Sequence, residues 1–209
     1  RDFRKLTLHS KAVLMTTVAL LLGGTLLLKT TEDVSWLGAF FQSVSARTAG
    51  FSTYPIGEFT NAGLFTLIVL MFIGASPGST GGGIKTSTFF VLLQHVRSLF
   101  TKQHIGAFHR SISFEMFSKA CTITLLSMLL VCVGTFLLCV LEPKYSFVQL
   151  LFEEVSAFGT VGLSTGITPD LGVASKLVLI FTMFAGRVGA FTLLTIWIDR
   201  PLPNIRYTE

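Results

Sequence analysis

The sequence is poor in charged residues. Only 13% of its 209 residues are Asp, Glu, Lys or Arg, whereas 51% are hydrophobic and the mean hydropathy is +0.70. Soluble globular domains carry about 25% charged residues, so this composition argues against a water-soluble protein. Apolar runs at about Ala12–Leu28, Ala120–Leu141 and Leu177–Trp197 approach or exceed the roughly 18–20 residues that cross a bilayer as helix. We therefore expect a membrane protein.

Patterns that bind metals or perform catalysis are also scarce. The three cysteines, Cys121, Cys132 and Cys139, lie in one apolar run without C-x-x-C spacing, so we interpret them as small apolar side chains. The four histidines lack the carboxylates and thiolates of a metal site. The sequence has no H-E-x-x-H motif and no nucleophile paired with a base. We predict that the chain is not an enzyme.

The start of the chain lacks both an initiator methionine and the small-residue cleavage site of a secretory signal. It reads Arg1-Asp2-Phe3-Arg4-Lys5. We therefore expect a piece of a longer polypeptide that begins in a loop.

Two parts of the chain repeat each other. Each part contains a Thr-x-Gly peptide that follows a short apolar segment and precedes a longer one. Each unit is therefore predicted to contain a spanning helix, a short helix with a loop, and a second spanning helix. Since both units cross the membrane twice, they have the same orientation and are related by an axis along the membrane normal. The matching segments are 24–28 with 134–138 at an offset of 110, and 48–53 with 160–165 and 67–74 with 179–186 at 112.

The short segment of each unit is too short to cross the bilayer. Val34–Ala46 would reach only about 20 Å as helix, and Tyr145–Phe158 has a similar length. A re-entrant helix that ends at mid-membrane points its partly negative carbonyl end at a bound cation. We predict that the following loops form a cation filter, although a single Thr-x-Gly peptide is also compatible with an ordinary turn. The predicted carbonyl ligands are Thr48, Ala49, Gly50, Thr160, Val161 and Gly162.

The second long helix of the first unit is interrupted. It begins near Asn61 and is predicted to run for about sixteen residues, roughly 24 Å, before a glycine-rich segment ends it. Such backbone is tolerated at membrane depth only against protein or water, so we expect it to line the pore beneath the filter. The second unit is expected to keep an unbroken helix through Gly186–Phe191. The predicted gate comprises Ser76, Pro77, Gly78, Ser79, Thr80, Gly81, Gly82, Gly83, Lys85 and Arg187.

Five charged residues within apolar segments require partners, because a charge at the membrane centre costs about 2.5–3.5 kcal/mol on insertion scales. We predict that Arg187 faces the cavity and pairs with carbonyls of the glycine-rich loop, with snorkelling to the interface as the alternative for Arg187 and Lys85. Arg47 is predicted to brace the first filter loop through its carbonyls. Glu153 and Glu154 are predicted to accept hydrogen bonds from filter amides.

Charge in the loops predicts the orientation. Lys and Arg outnumber acids in the segments before the first helix, between the units and after the last helix, which places these segments in the cytoplasm and the filter loops outside. The net charge of +5 is therefore explained by topology, and no nucleic-acid site is predicted. The predicted divisions are a cytoplasmic loop at 1–11, a first repeat at 12–96, a cytoplasmic loop at 97–119, a second repeat at 120–198 and a cytoplasmic tail at 199–209.

Three motifs together resemble a known family. Ser45–Thr53 and Ser156–Thr165, with Gly78–Thr86 between them, are similar to the last two of four repeats in the Trk/Ktr/HKT potassium transporters, most closely the bacterial Ktr membrane subunit. The resemblance implies an all-α membrane protein whose two helix–pore-loop–helix repeats form half of a four-repeat, potassium-channel-like pore. It also implies K⁺ as the transported ion, a homodimer of pore subunits, and a gating role for the glycine-rich loop. Any nucleotide would bind to a cytoplasmic regulatory ring.

Two other functions remain open at this level. Two loops cannot surround a cation, so a second identical chain would complete the pore if no further repeats precede Arg1. A membrane assembly subunit that kept the fold without conducting ions is the other alternative. The sequence also leaves open whether Na⁺ is a coupling or activating ion, or whether the flux is passive.

Overall fold

The computed structural model is almost entirely helical in the residues that it describes. These residues are 7–79, 81–101, 106–107, 110–111 and 114–189. The predicted tail at 199–209, most of the predicted loop at 1–11, and Thr80 of the predicted gate lie outside them.

Seven α-helices follow one another along the described chain, with a two-residue strand pair between the fourth and fifth. Two of the helices, α1 and α5, are long and apolar enough to cross a membrane, and α3 is a shorter apolar helix. The elements are α1 Leu8–Thr31, α2 Trp36–Ser45, α3 Asn61–Phe72, α4 Thr86–Thr101, β1 Gly106–Ala107, β2 Arg110–Ser111, α5 Phe114–Leu141, α6 Phe147–Gly159 and α7 Val173–Val188.

The two short helices begin with the same type of cap. Ser35 accepts a hydrogen bond from the Gly38 amide at the start of α2. At the start of α6, Ser146 accepts from the Gln149 amide while the Gln149 side chain accepts from the Ser146 amide, which is a capping box. These caps satisfy amides that have no partner inside the helix, so both helices have a defined start near the predicted position.

In each half of the chain, a glutamate after one helix binds the start of a later helix. After α1, Glu32 Oε1 accepts from the Thr60 amide at 3.0 Å and the Thr60 hydroxyl at 2.6 Å, at the start of α3. After α5, Glu142 Oε1 accepts from the Gly172 amide at 2.6 Å and the Ser175 hydroxyl at 2.9 Å, at the start of α7. A carboxylate at a helix N-terminus also interacts favourably with the helix dipole. The two halves therefore use equivalent links.

The core lies around α3 and α6. Leu67 and Met71 of α3 and Phe152 of α6 are fully buried, and Phe158 is 2% exposed. The outer faces of α1 and α5 expose large apolar side chains such as Leu22. In water such a surface would be unfavourable, whereas lipid makes it stable. The short helix α6 is therefore held by protein on its sides, and the long helices present apolar faces to lipid.

Four helix boundaries differ from the sequence prediction. The helix α3 ends at Phe72, about four residues early, because Ile73 forms a parallel bridge with Ile84 and leaves the helical ladder. The helix α7 ends at Val188, where Gly189 has φ +92°. The prediction of an unbroken helix through Phe191 is therefore wrong at Gly189, and the residues from 190 lie outside the described part. The predicted loop at 97–119 is shortened at both ends by α4 and α5.

Replacing Glu142 tests its link to the start of α7. The Gly172 amide, and then the Ser175 hydroxyl, hold the pKa of the Glu142 carboxyl below its ordinary value of 4.5. A lowered pKa stabilises the folded state at pH above the ordinary value, and this stabilisation is lost as the pH falls through the lowered value. Glu142→Gln is expected to lower the melting temperature at neutral pH, and the difference from the natural chain is expected to vanish on acidification. Thermal unfolding of the full-length polypeptide in detergent measures both effects.

The matched control is Glu58→Gln, which removes the same charge from an exposed residue on the same side of the chain. Equal melting temperatures for the two variants at neutral pH would contradict the proposed link.

Candidate functional site

In each short helix, one serine makes several hydrogen bonds to the loop that follows. The Ser45 carbonyl accepts from the amides of Ala49 and Gly50 at 3.0 and 3.1 Å, and the Ser156 carbonyl accepts from the Val161 amide at 2.9 Å. The serine hydroxyls donate further along the loops, Ser45 to the Phe51 carbonyl and Ser156 to the Leu163 carbonyl. Both loops are therefore folded back onto the carbonyl ends of α2 and α6.

The backbone of both loops is left-handed at equivalent residues. Thr48 has φ +72° and Thr160 has φ +50°, and in the described part of the chain these are the only non-glycine residues with positive φ. Gly50 and Gly162 have φ +78° and +94°. A left-handed non-glycine residue costs energy and is typical of functional sites. The strain at both threonines marks the two loops as one kind of site.

The two loops touch each other. A Cβ atom on Gly50 would collide with the Val161 carbonyl oxygen, and a Cβ atom on Gly162 would lie 4.0 Å from the Gly50 Cα. The second loop also lines a cavity of about 360 Å³. Within the described residues no hydrogen-bond donor reaches the carbonyl oxygens of the six predicted ligands, Thr48, Ala49, Gly50, Thr160, Val161 and Gly162.

The glycine-rich segment lies against both filter threonines. The Gly82 amide donates to the Thr160 hydroxyl at 2.9 Å, and a Cβ atom on Gly81 would lie 2.5 Å from the Thr48 hydroxyl oxygen. The segment is anchored at its base, where the Ile84 amide donates to the Phe72 carbonyl at 3.2 Å. The structure therefore brings Gly81 and Gly82 of the predicted gate against the predicted filter, and Thr80 lies outside the described residues.

Three cations lie near this segment. Lys85 donates to the Gly81 carbonyl, and the charge of Arg187 is close enough to interact with that of Lys85. Arg47 donates to the Gly74 carbonyl at 3.1 Å. Arg47 was predicted to brace the filter loop itself, and this is wrong: its side chain reaches the backbone that follows α3. The pairing of Arg187 with a carbonyl of this segment stays a prediction, and among the described contacts Lys85 makes a bond of this kind.

Glu153 holds the segment that follows the second filter loop. Its Oε1 accepts from the Thr165 amide at 2.8 Å and from the hydroxyls of Ser164 and Thr165, and its Oε2 accepts from the Thr168 hydroxyl at 2.6 Å. The predicted acceptance from amides is thus found just beyond the three filter residues. Four donors stabilise a carboxylate strongly, so Glu153 fixes the exit of this loop.

The residues that support the first loop were missed by the sequence analysis. Gln42 donates to the Ser52 hydroxyl at 2.7 Å. This pair occupies the place of Glu153 and Ser164 in the second half, where the serine is the donor. An alignment of the two short helices at an offset of 111 places Gln42 opposite Glu153 and Ser45 opposite Ser156. The offsets of 110 and 112 that relate the other matching segments do not bring Gln42 and Glu153 into register.

Glu154 does not reach a filter amide. It is fully buried, and its Oε1 accepts from the Thr182 hydroxyl of α7 at 2.7 Å. The prediction that Glu154 supports the filter by accepting from its amides is therefore wrong. The reason is the helix period, because adjacent residues on α6 point in directions about 100° apart. Glu153 points to the loop and Glu154 points to α7.

Comparison with known proteins decides the family. A family model described as "TrkH: Cation transport protein" matches residues 3–205. The chain belongs to this family. The suspected resemblance and the prediction that the chain is not an enzyme are confirmed, because the family consists of cation transporters.

Curated relatives in the TrkH family match the whole chain. It is 40% identical to "Ktr system potassium uptake protein B" of Vibrio alginolyticus over 100% of this chain and 49% of that protein. It is 38% identical to "Potassium/sodium uptake protein NtpJ" of Enterococcus hirae over 99% of this chain and 50% of that protein. The chain therefore spans about half the length of the curated relatives it matches.

A solved structure has the same fold. The potassium transporter TrkH from Vibrio parahaemolyticus matches with a TM-score of 0.73 at 24% identity, over 90% of this chain and 44% of the other. The predicted fold class, a helical membrane protein of this type, is confirmed.

Gly50 provides a test of the contact between the loops. Gly50→Ala introduces a collision with the Val161 carbonyl and places a side chain at positive φ, which alone costs roughly 1–2 kcal/mol. The variant is expected to lose at least this much stability, measured as a lower melting temperature of the full-length polypeptide.

Gly23→Ala is the control, because a Cβ atom there meets no atom within 4 Å. Alanine also favours helix over glycine. A Gly50→Ala variant as stable as Gly23→Ala would contradict the close approach of the two loops.

Proposed function

We propose that this chain forms two quadrants of a pore that carries K⁺ into the cell through backbone carbonyls. The observation that carries the proposal is the contact between the two Thr-x-Gly loops, in which six carbonyl oxygens accept no hydrogen bond from the described residues. Carbonyls at the ends of two re-entrant helices attract a cation and replace its hydration shell. In this proposal the two Thr-x-Gly loops form the filter, and their carbonyl oxygens replace the water molecules around the ion.

A complete filter needs oxygens on all sides of the ion. Two loops supply half of the ring, and about four loops supply it in potassium-channel filters. The remaining two repeats belong to the rest of the same polypeptide. The coverage of about half of each curated relative supports this reading over a pore completed by a second copy of the chain.

The ion is inferred from relatives together with the carbonyl chemistry. The printed names of the relatives describe potassium uptake and potassium/sodium uptake. We propose K⁺ as the transported ion at the six filter carbonyls, with Na⁺ as a coupling or activating ion.

The glycine-rich segment is proposed as the gate. It contacts Thr48 and Thr160 directly, and the lysine that holds the Gly81 carbonyl lies near the charge of Arg187. Two positive charges beneath the filter repel a permeant cation, and the hydrogen bond to Gly81 keeps the segment in place. Displacing the segment would open the path from the filter to the cytoplasm.

The proposed setting is the cytoplasmic membrane. The filter loops face outward, whereas the basic segments at 1–11, 97–119 and 199–209 lie in the cytoplasm. Two pore polypeptides form a homodimer, and a cytoplasmic ring that binds nucleotide docks on the basic segment at 97–119. The ring holds any nucleotide, and no nucleic acid takes part.

Substitution of the filter glycines tests the conduction path. Gly50→Ser and Gly162→Ser add side chains at positive φ and reorient filter carbonyls. Each variant is expected to lower K⁺ or Rb⁺ uptake at least about tenfold, corresponding to about 1.4 kcal/mol in the transport barrier. Uptake is measured with the full-length polypeptide, at equal expression, in cells that lack other uptake systems.

The matched control is Gly166→Ser. Gly166 has the same φ as Gly162, +94°, and a Cβ atom there meets no atom within 4 Å. This variant carries the same backbone strain outside the filter and is expected to retain uptake. Unchanged uptake in both filter variants would favour a non-conducting assembly subunit instead.

Lys85 and Arg187 test the gate. Lys85→Ala removes the hydrogen bond to Gly81, and Arg187→Ala removes a charge beneath the filter. Each variant, or deletion of one glycine from 81–83, is expected to raise K⁺ flux severalfold, measured in proteoliposomes without added regulatory subunit.

Lys176→Ala serves as the control for charge on the same helix, because Lys176 lies at the outer end of α7 and donates to the Pro169 carbonyl. If flux responds equally to all three alanine variants, or to none, the glycine-rich segment is only a packing element.

A further inference from the structure

Glu154 is a buried acid that the proposed conduction path does not use. It has no exposed surface, although half of the pore is absent from this chain, so the remaining repeats cannot reach it. Its Oε1 accepts from the Thr182 hydroxyl at 2.7 Å, and its Oε2 has no hydrogen-bond partner among the described residues. A Cβ atom on Gly134 of α5 would collide with the carboxyl group. The side chain is therefore enclosed by α5, α6 and α7 without room for another ligand.

The elements around Glu154 direct no positive charge toward it. On α7, Lys176 precedes Thr182 by six residues and Arg187 follows it by five, which places them about 9 and 7.5 Å away along the axis and at least 120° around the helix. The helix α3, which also packs on α6, contains no charged residue. The other titratable groups on the helices around Glu154 are few. Glu153 binds the segment after the second loop. On α5 they are Cys121, Cys132 and Cys139, and the Glu115–Lys119 pair near its start.

An ionised carboxylate in this place would be very unfavourable. A buried charge without a paired charge and several hydrogen bonds usually becomes neutral, because desolvation penalises the charged form. Glu154 has one neutral donor, whereas the adjacent Glu153 has four. The tight contact with Gly134 leaves no space for a metal ion. A proton is the cation that fits.

The first half of the chain shows where the proton points. At the equivalent position on α2, the Ser43 hydroxyl donates to the Leu21 carbonyl of α1 at 3.0 Å. Gly24 packs closely against this hydroxyl, so a side chain there would collide with it. The Thr25 hydroxyl donates to the same carbonyl at 2.7 Å. In both halves, a polar side chain on the short helix therefore meets a glycine on the long helix.

The equivalent atoms on α5 follow from the offset of 110. Leu21 corresponds to Val131, Gly24 to Gly134 and Thr25 to Thr135. The Thr135 hydroxyl is buried and, like Glu154 Oε2, has no hydrogen-bond partner in the part of the chain that the structure describes. Two orphaned polar atoms thus lie where the first half has a satisfied network, and one additional donor on Glu154 completes it.

We propose that Glu154 is a carboxylic acid, protonated at neutral pH, that positions the second filter quadrant. Its carbonyl oxygen accepts from Thr182 of α7, and its hydroxyl donates to the Val131–Thr135 segment of α5. The acid joins α6 to both long helices of its repeat. Since α6 carries the second filter loop, this link sets the position of the Thr160–Gly162 carbonyls. Only the transport consequence rests on the proposed filter, because the protonation state is independent of it.

Infrared spectroscopy of the full-length polypeptide tests the protonation state. The difference spectrum between the natural protein and Glu154→Gln is expected to contain the C=O stretch of a carboxylic acid at neutral pH. The difference spectrum for Glu153→Gln is expected to contain carboxylate bands instead. Thr182→Val removes the donor to Oε1 and is expected to shift the acid band to higher frequency. If Glu154→Gln removes carboxylate bands and no acid band, the proposal is overturned.

Uptake of Rb⁺ tests the positioning role. Gln supplies a carbonyl for Thr182 and an amide donor for α5, so Glu154→Gln is expected to retain uptake within about twofold. Glu154→Leu has a similar size but neither group, and is expected to lose at least about tenfold. Equal uptake by the Gln and Leu variants would overturn the positioning role. The infrared experiment does not depend on transport, so a failure of the Glu154 proposal can be distinguished from a failure of the proposed filter.

Discussion

Backbone polar groups at membrane depth need partners, and the structure depends on how this chain provides them. Each filter loop returns to its own short helix through a serine, Ser45 or Ser156, whose carbonyl and hydroxyl both bind the loop. This double contact satisfies loop amides and leaves the filter carbonyls unpaired among the described residues. At membrane depth, unpaired carbonyls are costly unless water or a ligand compensates them. The arrangement is therefore stable only together with a bound cation or water.

The two halves of the chain share their geometry and differ in their chemistry. The links from Glu32 to α3 and from Glu142 to α7 are equivalent, and each loop is held at its exit by a side chain of the short helix. That side chain is neutral in the first half, Gln42, and a carboxylate with four donors in the second, Glu153. The two loops are therefore held by different chemistry, a neutral amide in the first half and a carboxylate in the second.

The sequence predicted the two short helices and the equivalence of the two halves, because these depend on local periodicity and spacing. The assignment of the two Thr-x-Gly peptides to a filter stays a prediction. The sequence analysis misplaced the ends of α3 and α7, since the bridge from Ile73 to Ile84 and the glycine cap at Gly189 are contacts that periodicity does not encode. It also misassigned Glu154. Which neighbour a side chain on α6 contacts depends on how the helix is rotated within the bundle. The sequence alone does not determine this rotation, so it could not decide whether Glu154 contacts the loop or α7.

The difference between the halves is greatest just before the filter. Arg47 and Phe158 occupy equivalent positions at an offset of 111. In the second half, the Phe158 carbonyl lies so close to Gly186 that any side chain there would collide with it, and α7 continues past this contact to Val188. In the first half, the Arg47 guanidinium binds the Gly74 carbonyl, and α3 has already ended at Phe72. A carbonyl bound by a side chain no longer needs the helical ladder. The arginine thus stabilises the break after α3, which leaves the glycine-rich segment free to contact Thr48 and Thr160.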